Sequence, residues 1–224
     1  MTTLAGLRRF LVEPQGREPV QEVCEMCATP VPPQHPHLVQ VAERRMVCAC
    51  GPCAFLFNKI LFDNPGAGGG GYRRVPDRYV TDPDFRLTDA QWDALQIPVG
   101  MAFFLRNSAQ DRIIACYPSP AGATESELTL EAWEAGVGGG RLAAELEPDV
   151  EALLVRRDKA TRRGTDEAGR AGGCLLVPID ACYRLVGLVR LHWRGFDGGA
   201  DAWREIDRFF DDLRDAARPL RPEA

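Results

Sequence analysis

The sequence predicts an α+β protein in two parts: an N-terminal treble-clef or zinc-ribbon-like module, then a C-terminal mixed α+β domain. Three observations carry this expectation. Two Cys-x2-Cys pairs, "CEMC" at 24–27 and "CGPC" at 50–53, fall in the first quarter of the chain. A glycine run, "NPGAGGGGY" at 64–72, follows them and reads as a flexible boundary. Beyond it, short apolar runs bounded by turn residues alternate with stripes of helical period. The expected organisation is residues 1–64 as an N-terminal helix and cysteine-rich module, 65–80 as a Gly/Arg-rich linker, and 81–224 as the α+β domain.

In chain order, "TTLAGLRRFLVE" places Leu4, Leu7, Phe10 and Leu11 at helical spacing, with Thr3 as N-cap and Pro14 as the stop. "HLVQVAERRMVCAC" reads as a hairpin turning at Glu43 to Arg45. "GPCAFLFNKILF" reads as a helix with Pro52 in its first turn, where a missing N–H costs nothing. Cys53 then stands at a helix N-terminus, where the dipole favours a thiolate. Knuckle, hairpin and helix in that order form a treble-clef pattern.

After the linker, "TDAQWDAL" is a short helix capped by Thr88, and "VGMAFFLRNSAQDRIIACYP" is a hairpin turning at Asn107 to Asp111. "TLEAWEAG" and "GRLAAELEP" are short helices broken by "GVGGG". "VEALLVRR" and "GCLLVPID" are two further strands, joined by the polar loop "DKATRRGTDEAGRAG". "DACYRLVGLVRLHWRG" fits a helix capped by Asp180, with Cys182, Leu185, Val186, Val189 and Trp193 on one stripe and Gly195 as the stop; its alternation also fits a strand, and its length favours the helix. "DAWREIDRFFDDLRDAA" is an amphipathic helix with Trp203, Ile206, Phe209, Phe210 and Leu213 inward.

The cysteine spacing points to metal. Tetrahedral zinc takes four thiolates at about 2.3 Å, and a Cys-x2-Cys turn brings two sulfurs to one side. Cys24, Cys27, Cys50 and Cys53 are the expected ligands. Cys48 is surplus. It lies two residues before Cys50, so on a strand both face the same way, and it could replace Cys50 or lie beside the metal as a free thiol. His35 and His37 are candidate ligands, or donors to the ligands, against the plainer reading of solvated loop histidines in "PPQHPH". Iron in the same four thiolates is chemically possible. The rubredoxin-like pattern has a Gly after each pair, whereas Ala28 and Ala54 stand there, so zinc is favoured. The plainest role for such a site is a staple for a module of about 40 residues whose core is too small to fold alone.

Composition bounds the rest. The chain is 45% hydrophobic and 26% charged, without an apolar run long enough for a membrane span, and its first residues lack a secretory signal. It is therefore expected in the reducing cytoplasm, where eight cysteines argue for metal or free thiols and not disulfides. The net charge of −5 disfavours a nucleic-acid binder, and residues 1–64 balance six basic against six acidic side chains. There is no HExxH, GxSxG or P-loop, and "GAGGGGY" does not follow a strand of a βαβ unit. No catalytic residue is assigned, so a non-enzymatic role is favoured. Cys116, Cys174 and Cys182 sit in apolar runs and read as buried, inert thiols. His192 reads as packing. The arginines at 73, 74, 78, 156, 157, 162 and 163 read as solvated loop charge ahead of phosphate contacts.

The blocks "CEMC", "PPQHPHLVQVAERRMVCACGPCAFLF", "LTDAQWDALQIPVGMAFFL" and "PIDACYRLVGLVRLHWRGFDGG" make nearly the whole chain resemble an uncharacterised actinobacterial family, often encoded beside the genes of nickel–iron hydrogenases. All five module cysteines and His37 match that family's pattern. The resemblance implies association with hydrogenase assembly or function, with a hydrogenase subunit as partner. The expected function is thus a zinc-binding accessory protein. The alternatives are a rubredoxin-like iron electron carrier and a zinc-dependent nucleic-acid-binding regulator.

Overall fold

A computed structural model describes residues 21–62, 71–157 and 173–221. The expected helix at 3–14, residues 64–70 of the glycine run and the polar loop at 158–172 lie outside them. The protein is mixed α+β, with a three-stranded sheet and a seven-stranded sheet.

The small sheet has the order β2-β1-β3. β1 (His37–Gln40) and β2 (Arg45–Cys48) form the expected hairpin, and Arg44 closes its turn at φ 53°. Helix α1 (Gly51–Phe62) follows β2 directly. The third strand, β3 (Tyr72–Arg74), comes from inside the segment expected as linker and pairs antiparallel with β1. The residues that follow the glycine run are therefore held in the cysteine module's own sheet. The buried centre of this module is small: Cys24, Val31, Leu38, Val47, Ala49 and Ala54.

The large sheet runs β10-β4-β9-β8-β5-β6-β7. Its middle is β5 (Met101–Asn107), β6 (Arg112–Ser119), β8 (Glu151–Arg156) and β9 (Cys174–Pro178), all antiparallel to their neighbours. These are the runs read as strands. The expected turn between β5 and β6 is fixed by Asn107 Oδ1, which accepts from Gln110 N at 3.0 Å. The edges were not legible: β4 (Val80–Thr81), β7 (Gly122–Ser126) and β10 (Arg218–Pro219) are short or polar.

Alternation along the central strands separates two cores. Phe103, Leu105, Leu154 and Val177 face α5 (Ile179–His192) and α6 (Gly199–Ala216). Ala102, Phe104, Leu153 and Leu176 face α2 (Asp89–Ala94), α3 (Leu130–Trp133) and α4 (Arg141–Ala144). Helices thus cover both faces, which is why these strands are continuous apolar runs. Val39 and Val75 of the module join the α5/α6 core, so the small sheet packs against that face.

Three local expectations need correction. Thr88 does cap α2, in a reciprocal box with Gln91. Asp180, by contrast, does not cap α5: Pro178 holds the cap position without a side-chain bond, and the Asp180 carboxylate turns to His37. The "GVGGG" stretch does not simply break the chain between two helices. Residues 134–138 form a π-helical turn directly after α3. Four of the arginines are not solvated charges, and Arg162 and Arg163 lie outside the described residues. Arg73 reaches Glu147 at 2.6 Å, Arg78 grips Glu151 at 2.6 Å, Arg156 pairs with Asp207, and Arg157 bridges Asp89 and Asp93. Among the described residues no helix is long and apolar enough to cross a membrane.

Candidate metal centre

The first half of the centre is built by a turn. Cys24 N donates to Thr29 O and Ala28 N donates to Cys24 O, each at 2.8 Å, and Ala28 takes φ 60°. That left-handed position is one an alanine adopts reluctantly. It curls residues 24–28 so that both sulfurs face the same point. The second half is a strand-to-helix corner. β2 ends at Cys48, the chain turns through Ala49, and α1 begins at Gly51, which leaves Cys50 just before the helix and Cys53 in its first turn. Cys48 and Cys50 therefore diverge, because the extended chain that would have kept them on one face stops between them.

The Sγ atoms of Cys24, Cys27, Cys50 and Cys53 all lie within 4.8 Å of one another, a cluster that could hold a metal ion. Cys27 and Cys50 are 3.7 Å apart. Two sulfurs bound tetrahedrally at about 2.3 Å stand about 3.8 Å apart, so this spacing fits a shared ion. Cys24 is fully buried and Cys27 is exposed, so the cluster has an inner and an outer edge.

The electrostatics of the metal-free thiols have the same implication. Burial pushes the Cys24 thiol up, but backbone N–H groups of Cys50, Met26 and Cys27 aimed at its sulfur bring it below the ordinary value. Cys27 falls to about 6, through the Thr29 hydroxyl and then the Thr29 backbone N–H. Cys53 rises to about 12, through contact with Cys50 first, then burial, then Cys27 and Cys24. The dipole of α1 does not win at Cys53. Neighbouring sulfurs cannot all ionise in one small volume unless a cation joins them.

The surplus residues form a second group. One ring nitrogen each of His35 and His37 and the Sγ of Cys48 also lie within 4.8 Å of one another. Cys48 is thus placed with the histidines and not with the four-cysteine cluster. Its thiol is raised by burial, then by Glu22, Glu25 and Cys24. His35 is not a solvated loop histidine: its side chain is 3% exposed. Asp180, bonded to His37 at 3.1 Å, was not foreseen as part of this site, and no local signal could reveal a contact across 143 residues. The other three cysteines are buried as expected; burial raises Cys116 to about 11 and pushes Cys174 and Cys182 well above the ordinary thiol value. His192, half-buried, closes α5 beside the packed Trp193 and joins neither cluster.

A family model described as a family of unknown function, DUF5947, matches residues 23–217. No curated protein and no solved structure matches the chain.

Proposed function

The chain belongs to this family of unknown function, and from its own residues we propose that it is a zinc-binding accessory protein. One zinc ion is held by Cys24, Cys27, Cys50 and Cys53 and staples a treble-clef-like module to the α+β body. The observation that carries this is the convergence of the four sulfurs from a tight turn and a helix start. Among the described residues six buried ones form the module's own centre, a small core, and the metal adds to what holds it. Four thiolates close the coordination sphere, and a closed zinc site is structural. The role is accordingly interaction, in the cytoplasm, and the resemblance to proteins encoded beside nickel–iron hydrogenases makes a hydrogenase subunit the proposed partner.

Iron in the same thiolates is the second reading, and one observation favours it. Ala28 reaches the left-handed conformation that glycine supplies in a rubredoxin-like knuckle, so its identity does not bar that geometry. The other pair favours zinc: Ala54 lies inside α1, so the second pair is a helix start and not a second knuckle. A nucleic-acid-binding role finds less support, since many arginines are engaged by carboxylates.

Elemental analysis and the absorption spectrum of the purified protein test the metal. A colourless protein with bound zinc supports the reading, and visible sulfur-to-iron absorption transfers the site to electron transfer. Co-elution with a purified hydrogenase subunit tests the partner, and separate elution would remove it.

A further inference from the structure

We propose that His35, His37 and Cys48 form a second, open site for a divalent transition metal, distinct from the four-cysteine site. The backbone builds it. His37 and Cys48 are directly opposed in the antiparallel register of β1 and β2, so their side chains leave the same face. His35 stands two residues before β1, and its ring packs edge-on against that of His37, with centroids 4.7 Å apart. The resulting group of two ring nitrogens and one sulfur fits within 4.8 Å.

The hydrogen bonds decide which nitrogens are available. His35 Nδ1 lies 2.8 Å from Pro32 O, to which it donates, so that the ring's remaining lone pair is on Nε2. His35 Nε2 is buried and has no partner. A buried lone pair left empty is costly, and a metal ion is a partner that fits between two histidines and a thiol. The nearby Glu22 carboxylate, 3.7 Å from Nδ1, addresses the wrong nitrogen to relieve it. His37 Nδ1 is bonded to Asp180 Oδ2 at 3.1 Å, which fixes the tautomer and leaves Nε2 for the ion. Carboxylate, imidazole and metal in line is the usual support for a ligating histidine. Asp180 sits in the first turn of α5, so this site joins the module to the body.

Two imidazoles and one thiolate suit zinc, cobalt, nickel or copper and not calcium or magnesium. Three protein ligands leave one tetrahedral position for water or an external ligand. The four-cysteine site has no such vacancy. Metal-dependent contact with a small ligand or a partner's side chain therefore belongs here.

Anaerobic cobalt(II) titration of the full-length, metal-stripped protein is the test. Wild type is expected to take up two equivalents, one with the strong charge-transfer absorption of four thiolates. His37→Ala and Cys48→Ser are expected to take up one and keep that absorption, which also reports that the module is folded. Asp180→Asn, outside the module, is expected to weaken only the second equivalent, by about 10–100-fold. A single equivalent with the four-thiolate spectrum in wild type overturns the second site alone. Two equivalents in both His37→Ala and Cys48→Ser overturn it as well. No uptake overturns both this site and the four-cysteine reading. If the His37 and Cys48 variants bind nothing, Asp180→Asn decides: an unaffected second equivalent overturns the proposal, and a selectively weakened one sustains it.

Discussion

Glu151 is a fully buried carboxylate at the start of β8. Arg78 donates to both its oxygens, at 2.6 and 2.9 Å, and Glu147 N donates to it at 3.0 Å. Arg78 also donates to Glu145 O at 2.6 Å, which pins the segment after β3 to the body. Removing the guanidinium leaves a buried charge with one donor. Arg78→Ala is expected to destabilise the protein by about 3 kcal/mol, the lower end for a broken buried pair because the arginine is partly exposed. Urea unfolding measures it, and Glu151→Gln in the same chain should recover part of the loss. A cost below about 0.5 kcal/mol, the scale of an ordinary surface change, would contradict the pairing. In the sequence Arg73 and Arg78 read as solvated because Glu147 and Glu151, the carboxylates they bind, lie more than 70 residues away. The four cysteines were legible for the opposite reason: each pair is local, and its spacing alone defines a turn. The solvated reading of His35 and the helix-cap reading of Asp180 failed at the same scale, since burial and contact are decided by the elements brought against them.

At the scale of elements, the runs around Phe103, Leu154 and Leu176 were readable as strands because helices cover both faces and demand apolar residues throughout. The edge strands carry no such pattern, since "GATES" in β7 and two-residue β4 and β10 obey local pairing and not burial. Helix α6 was readable from its stripe, and Ala202, Ile206, Phe210 and Leu213 are its buried line. The stretch from α3 to α4 was harder. Its glycines suggested a break, yet Gly138 is where the Trp133 indole sits: an added Cβ would stand 2.3 Å from Trp133 Nε1. Glycine is thus required by close approach, and the backbone widens into a π-turn beneath the ring. Gly138→Ala must displace Trp133, which is packed against Phe104. A loss of about 1–3 kcal/mol and a shift in tryptophan fluorescence are expected. Unchanged stability and emission would show that the ring has room to move.

At the scale of the molecule, the module and the body share contacts and differ in what sustains them. The body has two cores on either side of one sheet, whereas the module has a handful of buried residues around its sulfurs. Val39, Val75 and the pairs His37–Asp180, Arg44–Glu125 and Arg73–Glu147 fasten one to the other. The sequence marked a boundary at the glycine run, where composition changes, but could not show that the strand beyond it returns to β1. We propose that the metal sustains the module while the body stands alone. Under a chelator, hydrogen exchange is expected to rise in β1, β2 and α1 while α6 stays protected. Simultaneous loss of protection in α6 would mean that the two parts unfold as one.

The four-thiolate site is tested most directly by X-ray absorption at the edge of the bound metal, on full-length Cys48→Ser protein so that only the four-cysteine site contributes. The expected result is a single shell of four sulfur scatterers at about 2.3 Å, with zinc as the absorber. A shell containing two or more nitrogen or oxygen scatterers would contradict coordination by Cys24, Cys27, Cys50 and Cys53.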